Sequence, residues 1–208
     1  MSFSKQSNRS PLAPAVFLDR DGTVIEQVHH LSRVEDVRVY DFAATALRLF
    51  HEQGFRIVVV TNQSAIDRGL LDESGLDEIH AEMSRQLGAA AALIDGIYHC
   101  PLKPAIKDPT VVESPDRKPG PGMLQRASRD LGLDLSRSWM VGDAISDILA
   151  GRNAGCCGTI LVQTGYGDRT YATYSSLLAE VNCCIASDLS SAARHVIDQT
   201  LAATTKSS

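Results

Sequence analysis

The chain has 208 residues, 44% of them hydrophobic and 22% charged, and its formal net charge is −5. This length suits one well-buried α/β domain and leaves little for a second. The acidic balance argues against broad binding to nucleic acid, which needs a basic surface. Because no apolar run is long enough to span a bilayer, we expect no membrane partner.

The first fourteen residues are rich in Ser, Asn and Pro and contain no apolar core typical of a secretory signal. We expect a flexible N-terminal tail over residues 1–14, followed by a single domain over residues 15–203. The five cysteines are a poor disulfide framework and favour idle or buried thiols in a reducing cytoplasm. They are Cys100, Cys156, Cys157, Cys183 and Cys184.

The strongest local signal is an apolar run that stops at two carboxylates. Residues 16–18 predict a buried strand, and Asp19 and Asp21 follow it before a Gly-Thr pair. Side chains at i and i+2 of a strand lie on the same side, so the two carboxylates should point into one small volume. Two like charges so close repel unless a cation lies between them or one holds a proton. The pair therefore indicates a metal site, or a nucleophile beside an acid/base.

Strand-like and helix-like segments alternate along the rest of the chain. The predicted strands are 16–18, 56–60, 96–100, 139–141 and 159–163, and the predicted helices are 45–53, 73–87, 121–131, 146–154 and 189–202. The proline-rich stretch 101–121 and the Ser- and Tyr-bearing stretch 170–176 are predicted to be loops. This alternation predicts an α/β fold with βαβ units and a mainly parallel sheet.

Polar side chains follow three of the predicted strands. They are Asp19 with Asp21, Thr61 with Asn62, and Asp143. Because ligands bind beyond the carboxyl ends of strands in such sheets, one crevice can hold all of these side chains.

A site that cleaves phosphate esters needs parts that this chain can supply. One carboxylate attacks phosphorus, and a second carboxyl protonates the leaving oxygen and then activates water. Mg²⁺, bound by oxygen ligands, offsets the negative charge of the phosphoryl group. A hydroxyl and a lysine hold the phosphoryl oxygens. The candidates are Asp19, Asp21, Thr61, Lys118 and Asp143.

Four motifs, in order and spacing, resemble those of the haloacid dehalogenase superfamily of phosphatases. They are DRDGT at 19–23, VTNQS at 60–64, RKP at 117–119, and VGD at 141–143 with Asp147 after it. The resemblance covers roughly residues 17–164. The segments DGIYHCP at 95–101 and RKPGPGM at 117–123 are similar to the branch that contains the heptose bisphosphate and histidinol phosphatases.

The resemblance implies a Rossmann-like three-layer α/β sandwich with little or no cap domain. It implies that Asp19 is the nucleophile and that Asp21 is the general acid/base. It also implies a Mg²⁺ ion held by Asp19, by the backbone carbonyl of Asp21 and by Asp143.

The same resemblance implies the substrate-binding residues. Thr61 and Lys118 would bind the phosphoryl group, with Asn62 nearby, and Arg117 would hold the distal part of the substrate. The implied activity is removal of the 7-phosphate of D-glycero-D-manno-heptose 1,7-bisphosphate through a phosphoaspartyl intermediate, in a cytoplasmic monomer or weak homo-oligomer. The alternatives are a histidinol-phosphate phosphatase, a nucleic-acid 3′-end phosphatase and a non-catalytic binding protein.

The chain departs from this branch in two places. Relatives usually carry a zinc-binding loop before the RKP motif, but only Cys100 keeps its ligand type, while Leu102, Ser114 and Asp116 replace the others. Since one thiolate cannot close a four-ligand site, we expect no structural zinc. The second departure is the His-His pair at 29–30, where relatives often have Gly-Tyr in a loop that shapes the substrate site.

Overall fold

A six-stranded parallel sheet forms the centre of the computed structural model, which describes residues 12–206. The strands are β1 (Ala15–Leu18), β2 (Arg56–Asn62), β3 (Gly96–Cys100), β4 (Trp139–Gly142), β5 (Gly158–Val162) and β6 (Cys184–Ala186). Their order is β3-β2-β1-β4-β5-β6. The strand order reverses between the adjacent strands β1 and β4, and parallel α/β sheets bind ligands at such a point.

Helices cover both faces of this sheet. They are α1 (Ala43–Glu52), α2 (Ser64–Asp67), α3 (Glu73–Ala89), α4 (Gly122–Leu131), α5 (Ile145–Ala154), α6 (Gly167–Glu180) and α7 (Leu189–Lys206). Short 3₁₀ turns occur at Val34–Asp36 and Leu135–Arg137.

Alternate residues of β1 enter two different hydrophobic cores. Val16 and Leu18 pack in the core shared with α1, α3 and α7, whereas Ala15 and Phe17 pack in the core shared with α4 and α5. Side chains alternate along a strand, so a strand that is apolar at every position must have helices on both faces. The predicted three-layer α/β sandwich with a parallel sheet is therefore confirmed.

The prediction of a surface loop over residues 170–176 is wrong, because α6 spans Gly167–Glu180. Ser and Thr have modest helix propensity, and the stretch lacks a clear apolar period. The helix forms because Leu178 packs in a third core with Ile148 and Leu161. Strand β6 was also not predicted, since its three residues give no period to detect.

The end of the expected N-terminal tail is hydrogen-bonded to the fold. The Ala13 N–H donates to the Gly132 carbonyl at 3.0 Å, and the Arg56 N–H donates to the Pro14 carbonyl at 2.9 Å. Residues 1–11 lie outside the described part of the chain, so the tail itself stays a prediction there.

Within residues 12–206, no helix combines the length and the apolar character that crossing a membrane requires.

Candidate active site

A cavity of about 310 Å³ opens at the carboxyl edge of the sheet, beyond the ends of β1, β2 and β4. All the site residues that the sequence predicts line it: Asp19, Asp21, Thr61, Asn62, Arg117, Lys118 and Asp143. The structure therefore brings together side chains from four separate segments of the chain.

A buried lysine pairs with two carboxylates at the base of this cavity. Lys118 Nζ lies 2.8 Å from Asp19 Oδ1 and 2.7 Å from Asp147 Oδ1. It also donates to the Val60 carbonyl at 2.7 Å. Burial acts to lower the pKa of Lys118, but Asp147 and Asp19 raise it above its ordinary value. Lys118 is therefore a fixed positive charge beside the predicted nucleophile.

Three carboxylates converge next to this lysine. Oxygen atoms of Asp19, Asp143 and Asp147 all lie within 4.8 Å of one another. Burial raises the pKa of Asp143 well above its ordinary value, and repulsion from Asp19 and Asp147 adds to the effect. Burial likewise raises the pKa of Asp147 to about 6. One lysine thus faces more negative charge than it can neutralise.

This cluster fits a divalent cation bound by Asp19 and Asp143, because Asp147 already contacts Lys118 and the Ala144 N–H. The donors of these two aspartates are carboxylate oxygens, which Mg²⁺ prefers, and a cation would relieve the repulsion that raises the pKa of Asp143. In the part of the chain that the structure describes, no other three His, Cys, Asp or Glu side chains converge in this way. Asp19 and Asp143 were predicted as ligands, and the role of the Asp21 carbonyl stays a prediction.

Asp147 was not among the predicted site residues, although it follows the fourth motif. Its Oδ2 accepts a hydrogen bond from the Ala144 N–H at 3.0 Å, which fixes the first turn of α5. Its Oδ1 pairs with Lys118. The sequence signal was the position of Asp147 one helical turn beyond Asp143, on the same face.

Two glycines allow the backbone to approach Asp143 closely. Gly22 and Gly165 have φ values of 79° and 58°, which favour glycine. A Cβ at Gly22 would lie 2.1 Å from Asp143 Oδ2, and one at Gly165 would lie 2.2 Å from the same atom. Asp143 Oδ2 accepts from the Tyr166 N–H at 2.7 Å. The loops after β1 and β5 therefore enclose this carboxylate.

We expect Gly22→Ala to lower turnover by about 10²-fold, because the new methyl group displaces Asp143 by an ångström or more. Gly54→Ala is the matched control, since Gly54 has the same φ of 79° but open space around its Cβ. Both variants carry backbone strain of about 1–2 kcal/mol, visible as a lower melting temperature. Steady-state phosphatase assays on the two variants separate this shared strain from the displacement of Asp143. Equal turnover in the two would contradict the role of Gly22.

Asp21 is held by residues that the sequence did not single out. Arg20 donates from Nε to Asp21 Oδ2 at 3.2 Å and from Nη2 to Asp21 Oδ1 at 3.1 Å. Gln63 Nε2 donates to Asp21 Oδ2 at 3.0 Å. Both Arg20 and Gln63 belong to the quoted motifs, but nothing in the sequence showed where their side chains point.

Thr61 and Asn62 have different environments at the end of β2. The Thr61 Oγ1 accepts a hydrogen bond from Gln63 Nε2 at 2.7 Å, so its own O–H hydrogen is free to donate into the cavity. Asn62 Nδ2 donates to the Lys118 carbonyl at 3.1 Å, and its Oδ1 accepts from the Lys118 N–H at 3.1 Å. Asn62 therefore holds the backbone that carries Lys118.

The loop before the third motif is held by hydrogen bonds within the protein. Arg117 lines the cavity, and its Nη1 donates to the Leu102 carbonyl at 2.6 Å. Glu113 accepts from the Ala105 N–H at 2.7 Å and from the Ile106 N–H at 3.0 Å. These contacts connect the two ends of the segment between β3 and the third motif. The expected absence of zinc stays a prediction.

His29 and His30 both line the cavity. Their ring centroids lie 4.1 Å apart, and His30 has a positive φ of 53°. Burial, His29 and Arg68 together lower the pKa of His30, which favours its neutral form. The second departure from the family pattern therefore lies in the lining of the site.

This sheet order, with an Asp-x-Asp turn after β1 and a buried lysine opposite it, defines a phosphatase of the haloacid dehalogenase class. A family model described as HAD-hydrolase-like matches residues 116–192.

Two individual relatives are named as heptose bisphosphate phosphatases. The D-glycero-D-manno-heptose-1,7-bisphosphate 7-phosphatase of Thermosynechococcus vestitus is 41% identical over 161 residues, which cover 75% of this chain and 82% of the relative. The D-glycero-β-D-manno-heptose-1,7-bisphosphate 7-phosphatase of Photorhabdus laumondii is 37% identical over 166 residues, which cover 79% of this chain and 88% of the relative.

A solved structure agrees with these relatives. The crystal structure of D,D-heptose 1,7-bisphosphate phosphatase from B. bronchiseptica, complexed with magnesium and phosphate, has a TM-score of 0.78 and 30% identity. The match covers 89% of this chain and 99% of that one. The chain belongs to the heptose bisphosphate phosphatase family, and the resemblance inferred from its motifs is confirmed.

Proposed function

We propose that this protein is a Mg²⁺-dependent phosphatase that removes the 7-phosphate of D-glycero-D-manno-heptose 1,7-bisphosphate. The observation that carries the chemistry is the contact between Asp19 and the buried Lys118, 2.8 Å apart in a cavity that also holds Asp21 and Asp143. The named activity of the relatives supports the substrate.

Asp19 acts as the nucleophile. Its carboxylate forms a bond to phosphorus while the bond from phosphorus to the sugar oxygen breaks, which gives a phosphoaspartyl intermediate. Lys118 and the free Thr61 hydroxyl bind the phosphoryl oxygens. They stabilise the negative charge on these oxygens in the transition state. Asp143, Asp19 and the Asp21 carbonyl would hold Mg²⁺, which supplies charge neutralisation for the phosphoryl group when bound.

Asp21 acts first as the general acid and then as the general base. In its protonated form it gives a proton to the leaving sugar oxygen. The resulting carboxylate then takes a proton from water, whose oxygen attacks phosphorus and releases phosphate from Asp19. The cycle restores both side chains, and its net reaction consumes one water for each phosphate released.

The cavity and its rim support a small phosphorylated sugar. A volume of about 310 Å³ is at the lower end of the range for small-molecule sites. Arg117 supplies a cation that can meet a second, distal phosphate. We also propose that the protein acts in the cytoplasm as a monomer or weak homo-oligomer, with residues 15–203 as one domain and no zinc. Its five free thiols suit a reducing compartment.

A panel of phosphate esters tests this function, with phosphate release measured in the presence of Mg²⁺. The panel contains both anomers of heptose 1,7-bisphosphate, histidinol phosphate, fructose 1,6-bisphosphate and a 3′-phosphorylated oligonucleotide. We expect the highest kcat/KM for a heptose bisphosphate, with one phosphate released and heptose 1-phosphate as product. Preference for histidinol phosphate would reassign the substrate, and no release from any ester would contradict a catalytic role.

A further inference from the structure

Arg20, the residue between the two catalytic aspartates, is among the largest fully buried side chains in residues 12–206. A guanidinium does not lose its proton in proteins, so its charge is buried with it. Burying an unpaired charge is costly, so its partners show what balances the charge.

Four hydrogen bonds engage the Arg20 guanidinium. Two go to Asp21, from Nε to Oδ2 at 3.2 Å and from Nη2 to Oδ1 at 3.1 Å. Nη2 also donates to Gln63 Oε1 at 3.0 Å, and Nη1 donates to His80 Nε2 at 3.2 Å. Nη2 also lies 2.9 Å from Asp21 Oδ2, so the guanidinium contacts both oxygens of the carboxylate and limits its rotation.

His80 cannot supply a counter-charge to Arg20. Because arginine only donates, His80 Nε2 must be the acceptor, which leaves the ring proton on Nδ1. Burial and the charge of Arg20 lower the pKa of His80 to about 3, so the ring is neutral at neutral pH. Among the described residues that contact the guanidinium, Asp21 is the acidic side chain.

Gln63 completes a closed ring with Arg20 and Asp21. Its Oε1 accepts from Arg20, and its Nε2 donates to Asp21 Oδ2 at 3.0 Å and to Thr61 Oγ1 at 2.7 Å. Asp21 Oδ2 thus accepts two hydrogen bonds, whereas Oδ1 accepts one and keeps a lone pair. Oδ1 is therefore the less engaged of the two carboxylate oxygens.

We propose that Arg20 and Gln63 are positioning residues for proton transfer by Asp21. They hold its carboxylate so that Oδ1 gives the proton to the leaving oxygen and later takes one from water. This inference rests on the proposed function of Asp21. It assigns a role in the reaction to a residue whose burial could otherwise be explained by its contact with α3 alone.

Comparing two esters with different leaving groups distinguishes a positioning role of Arg20 from a purely structural one. A sugar alkoxide needs a proton as it departs, whereas p-nitrophenolate, a stable anion, does not. Single-turnover measurements isolate the first phosphoryl transfer from the later attack of water. In Arg20→Met, we expect this step to slow by about 10²-fold or more for the sugar phosphate, the usual contribution of a general acid. For p-nitrophenyl phosphate, we expect a change of less than about threefold, since no general acid is used.

Three further variants serve as references for the selectivity expected in Arg20→Met. Asp21→Asn should show the same selective loss for the sugar phosphate. His80→Ala leaves the contacts of Arg20 with Asp21 in place, so it should lower stability without selectivity between the two esters. If Arg20→Met does not fold, Gln63→Met removes one donor to Asp21 and should show a smaller loss with the same selectivity.

Equal losses for both esters in the Arg20 and Gln63 variants would overturn the proposal. The test needs only an alkyl phosphate that the wild-type protein hydrolyses. A wrong substrate assignment would appear in the wild-type panel, whereas a wrong role for Arg20 would appear as the absence of leaving-group selectivity. Failure of the proposed catalytic role of Asp21 would appear as normal turnover in Asp21→Asn.

Discussion

Asp19→Asn is expected to lower turnover by about 10³-fold or more, because an amide is a far weaker nucleophile than a carboxylate. Asn has nearly the same shape, so the cavity should keep its form. Lys118 keeps its contact with Asp147 at 2.7 Å, and the repulsion from Asp143 falls. Phosphate release and trapping of the phosphorylated protein in acid measure the effect.

The matched control for this substitution is Asp72→Asn. The Asp72 side chain caps α3 by accepting from the Gly75 N–H at 2.8 Å, and Asn can make the same bond. We expect normal turnover in this variant. Thermal unfolding of both proteins shows whether any loss of activity arises from unfolding. Normal turnover in Asp19→Asn would exclude Asp19 as the nucleophile.

Lys118→Met is expected to lower the free energy of unfolding by about 3–5 kcal/mol, the usual cost of leaving a buried charge without its partner. The variant leaves Asp19 and Asp147 facing each other without the cation that contacts both. It should also lose turnover, because the positive charge that we propose binds the phosphoryl group is gone. Urea denaturation without added divalent ions measures the stability, and phosphate release measures the activity.

Two further variants test the physical reason for this loss. Lys103→Met removes a lysine of the same loop whose contact with Asp67, at 3.7 Å, is exposed, and it should cost at most about 1 kcal/mol. Adding Asp147→Asn to Lys118→Met removes one of the two carboxylates that the first substitution leaves without a cation. Stability should therefore partly return, while turnover should not. A loss below about 1 kcal/mol in Lys118→Met would show that the buried pair is not a major source of stability.

Three of the residues that line the cavity could be predicted because each lies at a strand end. Asp19, Thr61 and Asp143 come directly after or at the end of apolar runs, and parallel strands bring their carboxyl ends to one edge of the sheet. The family motifs then supplied Lys118 and Arg117, which lie on a loop without local periodicity. The structure places all five in one cavity.

Elements without an apolar period were not predictable in the same way. Helix α6 lies in a Ser- and Thr-rich stretch, and it forms because Leu177 and Leu178 pack against α5 and β5. Strand β6 forms because its backbone pairs with β5, where Ile160 aligns with Cys184. Both elements depend on contacts with other segments more than on their own residues.

The sequence by itself determined the fold class and the phosphatase class and indicated the candidate catalytic residues, since strand ends and motif order are local properties. Only the tertiary structure decided how those residues are held. Arg20 meets His80 and Gln63, and Lys118 meets Asp19 and Asp147, across long stretches of chain. The direction and burial of a side chain depend on which distant segments surround it, and no spacing along the chain encodes that. The pair Asp19 and Asp21 was visible in the sequence, but the separate partners of its two carboxylates were not.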